Sequence, residues 1–361
     1  MDNHSLELYL RESVIKISKD IIKASLLNPR ASKFTLQFAL SCKNKVDIRH
    51  INETNGCHVP PFLIASITTK CNLHCKGCYA RENKLCSDSI DNGQLTKESW
   101  NRIFSEADEM GVSFILLAGG EPLMRKDVIE CAANYHNILF PVFTNSTLID
   151  SSYIQLFKKN MNILPVLSIE GSATDERRGE GIYSTIVSKM NDLKDNNILF
   201  GTSITVTTEN LHEITSKDFI NDLYSKGCKG VVFVEYVPIT KNTEHLALGD
   251  DERSILENNI NSLKSSFDML FVSFPGDEKN SGGCLAAGRG FFHINPYGGA
   301  EPCPFSPYSD INLKTTSLKE AMNSALFTKI RQNDLLQEDH TGGCVLYKYR
   351  DEVEKLVSQK A

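Results

Sequence analysis

The chain is poor in the features that would tie it to a membrane, a nucleic acid or an oxidising compartment. No apolar run approaches the roughly 20 residues needed to cross a bilayer, and the start, Met1-Asp2-Asn3-His4-Ser5, lacks the basic and then apolar order of a secretory signal. The expected location is therefore the cytoplasm, without membrane insertion. Positive charge is in deficit: 39 Lys and Arg against 45 Asp and Glu give a net charge of -6, which excludes an electrostatic case for nucleic acid or anionic lipid. Internal repeats and low-complexity tracts are absent, which excludes solenoids and linker-like segments. The 11 cysteines are odd in number and do not read as a disulfide framework, so metal binding or buried thiols account for them better.

What remains is an ordinary globular composition, 41% hydrophobic and 23% charged, in 361 residues. That length predicts one large domain with appendages, or two domains. Residues 1–58 read as a helical segment, with Leu6, Leu8, Leu10, Val14, Ile15, Ile17, Ile21, Ile22 and Leu26 at mixed three- and four-residue spacings until Asn28-Pro29 breaks the pattern. From Pro60-Pro61 the texture becomes short apolar runs alternating with amphipathic helices, the form of a parallel β-α sheet. Strands are expected at 62–68, 113–117, 139–143, 163–169, 199–206 and 230–237. One helix between them is well marked: Thr96 can cap it, Trp100, Ile103, Phe104, Ala107 and Met110 share a face, and Gly111 ends it. The expected fold class is α/β, a partial (β/α)6 TIM-type barrel over 59–240. A small α+β metal-bearing extension is expected over 241–361, with a helix near 251–266 and a strand-like Met269 to Phe274.

Chemistry concentrates where the expected strands end. Cys71, Cys75 and Cys78, in the order Cys-x3-Cys-x2-Cys, leave the first strand. Three thiolates from one loop are one short of the four that normally hold an iron–sulfur cluster, so one iron is left open to a substrate or cosubstrate. A zinc site with His74 as the fourth ligand is the alternative, although structural zinc usually takes paired cysteines and no second pair lies nearby. Gly119-Gly120-Glu121-Pro122 follows the second strand, Thr144-Asn145-Ser146 the third, and Ser168-Ile169-Glu170-Gly171 the fourth. Glycines there let backbone come close to a ligand. Arg177, Arg178 and Gly179 come next, and an arginine fork suits a carboxylate. Glu235 sits inside the apolar sixth strand, facing either the barrel lumen or a structural ion pair.

The second cysteine group is Cys284 and Cys303, with Cys344 beyond. Between the first two, Phe291 to Ile294 reads as one arm of a hairpin and Asn295-Pro296-Tyr297-Gly298-Gly299 as its turn, which brings Cys284 and Cys303 near each other. Cys57, Cys131 and Cys228 read as packing residues. Cys86 lies just past the first loop and reads as an incidental thiol that could still approach it.

The cysteine triad, the GGEP turn, the later strand-end motifs and the hairpin, in this order over residues 60–305, resemble the radical S-adenosylmethionine (SAM) superfamily with a SPASM- or twitch-like extension. That resemblance implies a four-iron, four-sulfur cluster on Cys71, Cys75 and Cys78, with SAM chelated at its open iron and cleaved reductively to a 5'-deoxyadenosyl radical that takes hydrogen from a substrate. It assigns SAM contacts to Tyr79, Gly119, Gly120, Glu121, Asn145, Ser168, Glu170 and Arg178, with Arg178 on the carboxylate. Ser146 and Glu170 stand where the family more often has glycine and aspartate. An auxiliary iron–sulfur cluster is implied on Cys284, Cys303 and Cys344, with a further ligand from His340, another side chain, solvent or substrate. The partners implied are a low-potential electron donor such as flavodoxin or ferredoxin, and a peptide or small-molecule substrate that the sequence leaves open. The competing class is a non-catalytic iron–sulfur electron carrier or a zinc-stabilised interaction module.

Overall fold

A computed structural model describes residues 3–26, 29–89, 92–274, 281–333, 335–337 and 344–358. Two long helices open the chain, α1 (Asn3–Ser25) and α2 (Pro29–Thr54), divided where the Asn28-Pro29 pair was expected to break the pattern. They pack on each other and bury Val14, Phe38 and Cys42 against Phe114 and Leu139, with Phe62, Leu116 and Leu164 alongside. The helical pair thus covers the amino-terminal ends of the first four strands. Two cations fasten it there. Lys45 donates to the Val112 carbonyl and pairs with Asp108 at 2.7 Å, and Arg49 donates to the Gly111 carbonyl and, at 3.0 Å, to Ser113 Oγ. Both cations therefore meet the carboxyl end of the helix Lys97–Met110, where unpaired carbonyls carry partial negative charge.

The sheet is built from β1 (Phe62–Ser66), β2 (Phe114–Ala118), β3 (Phe140–Thr144), β4 (Ile163–Ser168), β5 (Gly201–Val206), β6 (Gly230–Glu235), β7 (Leu270–Phe274), β8 (His293–Ile294) and β9 (Ala300–Glu301). Its order is β7-β6-β5-β4-β3-β2-β1-β8-β9. Strands β1 to β7 pair in parallel, β8 runs parallel to β1, and β9 returns antiparallel to β8. The expected hairpin is present, and its first arm extends the barrel sheet beyond β1. Met269 to Phe274 likewise supplies a seventh parallel strand, so the sheet is wider than the six units the β-α rhythm predicts. It curls on itself: Phe291, just before β8, stacks on Phe62 of β1 at 5.0 Å and meets Phe274 of β7 edge-on at 5.3 Å. The curl remains open between β7 and β9.

Registers and the two-residue period divide each strand into two faces. The helix-covered face carries Leu63, Ala65, Leu117, Val142, Leu167, Ile204 and Phe233, all fully buried. The inward face carries Leu116, Ala118, Pro141, Phe143, Ser203, Thr205, Val232 and Val234, which are only half-buried although they sit in the middle of the sheet. Half-exposed side chains inside a curled sheet line a hollow. Glu235 does not face it: the carboxylate pairs in register with Val206 on the helix-covered face and meets Arg253 Nε at 3.1 Å. Of the two orientations open in the sequence, the structural ion pair is the one formed.

At the helix expected over 97–110, Thr96 Oγ1 accepts from the Ser99 amide and Gly111 adopts φ 93°, as the capping residues predict. Because Arg49 is buried where it meets the carboxyl end of this helix, Arg49→Met is expected to lower the unfolding free energy of the cluster-free protein by about 2 kcal/mol. A urea midpoint unchanged from wild type would show that the contact contributes nothing.

Candidate active site

The cysteine loop leaves β1 and is closed at its base by short main-chain pairing. Ser87 N donates to Thr69 O at 2.7 Å and Cys71 N to Ser87 O at 3.0 Å. That closure brings Cys86 onto Cys71. The contact between the two thiols lowers the Cys71 pKa and, with burial, pushes Cys86 up. Within the loop, Arg81 donates to the Leu73 carbonyl at 2.8 Å, and Cys78 caps the short helix Tyr79–Glu82. Gly77 takes φ 65° directly over the Tyr236 ring, where a Cβ would stand 2.9 Å from the hydroxyl. Cys71, Cys75 and Cys78 are all partly exposed. His74 is exposed and turned to Asp88 at 3.0 Å. Among the described residues, no three His, Cys, Asp or Glu side chains are closed round a common point as they stand, and Cys71 is engaged with Cys86 instead.

The GGEP turn lies against the root of this loop. Gly120 N donates to Thr68 O and Glu121 N to Lys70 O, both at 2.8 Å. A Cβ on Gly119 would sit 2.5 Å from Thr68 O, and one on Gly120 2.2 Å from Lys70 O. The glycines therefore serve the contact between the two backbones, beyond any approach to a ligand. Glu121 is 1% exposed. Its Oε1 accepts from Thr144 Oγ1 at 2.7 Å and Leu123 N at 3.0 Å, and its Oε2 from Asn145 N at 2.8 Å. Burial raises its pKa to about 7 in spite of these donors. Asn145 Nδ2 in turn donates to Asn72 Oδ1 at 2.9 Å, joining the end of β3 to the cysteine loop. Ser146 has φ 73°, and its buried hydroxyl has no partner. Ser168 ends β4 on the inward face, half-buried.

Glu170 is buried and holds both arginines. Arg178 donates from Nε to Oε2 at 2.6 Å and from a terminal nitrogen to Oε1 at 2.5 Å, while Arg177 reaches Oε1 at 2.8 Å. Burial alone would raise the Glu170 pKa, but the two guanidiniums outweigh it and hold the group below its ordinary value. The remaining terminal nitrogen of Arg178 lies 3.9 Å from Cys75 Sγ. Lys76 N donates to Arg177 O at 2.8 Å, and Arg177 Nε returns a bond to Lys76 O at 3.2 Å. The helix Thr174–Arg178 is thus a brace on the middle of the cysteine loop.

Among the described residues, the second thiol group is closed only between Cys303 and Cys344. Cys284, Cys303 and Cys344 are all buried, Cys303 and Cys344 share a hydrogen bond, and burial followed by that contact pushes the Cys303 pKa up. His340 and Gly342-Gly343 lie outside the described residues. Tyr79 stands between the two groups, its ring edge-on to Phe305 at 5.1 Å and its hydroxyl in the fields of both Cys78 and Cys303. The other cysteines have packing roles: Cys131 faces Asn101 Oδ1 at 3.0 Å and Cys228 the Gly230 carbonyl at 3.1 Å.

One constellation was not foreseen. Ser66 Oγ lies 2.7 Å from His293 Nε2, and His293 Nδ1 lies 2.7 Å from Glu301 Oε2. Asn295 Nδ2 donates to Glu301 Oε1 at 2.6 Å. All of Ser66, His293 and Glu301 are buried on the inward side of β1, β8 and β9. The alternation of His293 with Phe291 and of Glu301 with Cys303 was the available signal, but it needs the β1–β8 pairing before it places these groups together.

Residues 65–220 match the model of the Radical SAM superfamily. The chain is 30% identical over 198 residues to the uncharacterized protein MJ0907 of Methanocaldococcus jannaschii, a match that spans 52% of this chain and 65% of that relative. It is 24% identical over 320 residues to the AdoMet-dependent heme synthase of Methanosarcina barkeri, spanning 80% of this chain and 89% of the relative. Among solved structures, SuiB of Streptococcus suis bound to precursor peptide SuiA superposes with a TM-score of 0.62 at 17% identity, over 82% of this chain and 71% of that one. A likeness at that identity shows a common fold.

Glu121 binds its proton more tightly folded than unfolded. Its contribution to stability is therefore full below about pH 4.5 and is lost as pH rises through about 7. The unfolding free energy of the wild type minus that of Glu121→Gln is expected to fall across this window. A difference that is flat or rising with pH would contradict the assignment.

Proposed function

We propose that the chain, whose residues 65–220 match the model of the Radical SAM superfamily, cleaves SAM reductively at a cluster held by Cys71, Cys75 and Cys78 and uses the resulting radical on a substrate in the barrel. The observation that carries this reading is the convergence on one loop: three partly exposed thiols, a buried acid at Glu121 and a partly buried arginine at Arg178, on elements that end at the same rim. The donor set fits the group the family implies, because soft thiolates hold iron and three of them leave one iron open. The orphaned Ser146 hydroxyl, beside the Thr144 and Asn145 that bind Glu121, supports a polar ligand at the same rim.

When bound, such a cluster with SAM supplies one electron to the sulfonium and so a carbon radical able to remove a hydrogen atom. The chain's residues do the rest. Glu121 and Asn145 order the turn and the β3 end against the cysteine loop, Tyr79 covers the loop from the side of the extension, and Gly119 and Gly120 keep the rim close to it. The hollow behind them excludes bulk solvent from a reactive intermediate. Its inward positions on β1 to β7, from Phe62 to Phe274, carry no charged side chain. Burying a free charge against those strands is costly, so the part of the substrate that meets them is uncharged, while His293 and Glu301 supply the ionisable groups on the inward side of β8 and β9. Both a peptide, the ligand in the SuiB complex, and a small cofactor precursor of the kind a heme synthase takes satisfy that condition when their charges stay outside.

The buried contact of Cys303 with Cys344, with the buried Cys284 close enough to act on Cys303, supports an auxiliary iron–sulfur cluster under the hairpin. A flavodoxin or ferredoxin is the natural electron donor. No helix among the described residues is long and apolar enough to cross a membrane, which accords with a cytoplasmic setting.

Anaerobically reconstituted protein given SAM and a reductant is expected to release 5'-deoxyadenosine, and Cys75→Ser to release none. An electron carrier or zinc module releases none in either form, and that result would overturn the reading. Iron and sulfide should fall in Cys284→Ala while 5'-deoxyadenosine formation in the absence of substrate persists. Unchanged iron would remove the auxiliary cluster.

A further inference from the structure

Glu170 is buried, and its two oxygens face two guanidiniums, so it has little capacity left for a cosubstrate. Within this triad, two positive charges face one negative, and of the three groups only Arg178 has a nitrogen directed at a cysteine of the loop. The fork also fixes direction. With Nε and one terminal nitrogen of Arg178 committed to the carboxylate, the other terminal nitrogen is left at 3.9 Å from Cys75 Sγ. The paired main-chain contacts between Lys76 and Arg177 hold that direction against the loop. A surface arginine needs no such lock, and burying Glu170 for packing alone is costly when an apolar residue could fill the same space.

We propose that Arg178, aimed by Glu170, is a positioning residue that raises the reduction potential of the cluster on the Cys71 loop by donating to the Cys75 sulfur. Reduction adds one negative charge to a centre whose potential depends on net charge and on hydrogen bonds to its sulfurs. A fixed guanidinium beside one ligand therefore favours the reduced form, which is the form that has an electron to give. The inference rests on the proposed cluster but not on SAM or on any substrate. It gives Arg178 a task before the cosubstrate arrives, in addition to any hold on a carboxylate.

The test is a potentiometric titration, followed by electron paramagnetic resonance, of full-length protein reconstituted without SAM. At the potential where the wild type is half reduced, Arg178→Gln is expected to be reduced at least fivefold less. Glu170→Gln keeps a side-chain oxygen for Arg178, and the Lys76–Arg177 contacts still hold the short helix on the loop, so the variant removes the opposing negative charge while leaving the guanidinium in place and is expected to shift the other way, toward a larger reduced fraction. A role in folding alone predicts no such opposite pair. Arg178→Gln that carries wild-type iron and titrates with the wild type overturns the inference. Should that variant fail to load iron, Glu170→Gln decides, and an unmoved or lowered reduced fraction in it overturns the inference as well. Wild-type protein that assembles no cluster fails at an earlier step, because the reading of the cysteine loop then falls first.

Discussion

The arrangement depends on one close approach of bare backbone. Gly119 and Gly120 press against Thr68 and Lys70 so tightly that no side chain fits between them, and two main-chain hydrogen bonds hold the contact. This joins the end of β2 to the segment that carries the cysteines. Glu121, at the next position, is thereby turned inward to collect donors from the end of β3. Three strand ends and the loop become one rim, because parallel strands deliver their carboxyl ends to the same side. Without that contact, the thiols, the acid and the arginine would belong to separate loops.

A second constraint closes the rim from the other edge. The hairpin of the extension pairs with β1, and the Ser66–His293–Glu301 network fastens it through buried hydrogen bonds. Cys303 follows Glu301 by two residues, and Ser66 precedes Cys71 by five. Cys71 and Cys303 consequently follow strands β1 and β9, which flank β8 in one sheet, with Tyr79 between the two thiol groups. The half-buried inward face of β1 to β7 supplies a wall without charged side chains beneath both, with His293 and Glu301 at its β8–β9 edge, while α1 and α2 cover its opposite end. Polar groups thus gather at the rim, and the apolar wall lies below them.

Much of this was legible in the sequence, for physical reasons. The two-residue and 3.6-residue periods located the strands and the helix capped by Thr96, since burial of one face imposes those periods. The cysteine spacing located the loop, and strand ends located the motifs. What escaped was set by pairing between distant segments. The side on which Glu235 lies follows from its register with Val206, and a shift of one residue would reverse it. The β1–β8 pairing, which assembles Ser66 with His293, joins positions more than two hundred residues apart. The contact of Cys86 with Cys71 follows from a main-chain closure at Ser87 that no local pattern announces. The double grip of Glu170 on Arg177 and Arg178 is similar: each residue was visible, but their mutual engagement was not.

The central claim is an iron left without a protein ligand at the Cys71 loop, where the amino and carboxylate groups of SAM bind. The most direct measurement is pulsed electron–nuclear double resonance on the reduced, reconstituted protein with SAM labelled by nitrogen-15 at the amino group. The account predicts a nitrogen-15 hyperfine coupling to the cluster on Cys71, Cys75 and Cys78 that disappears when unlabelled SAM is used. A four-iron, four-sulfur signal that does not change on adding SAM and shows no coupling to the label, as a centre saturated by a fourth protein ligand such as Cys86 would give, contradicts it.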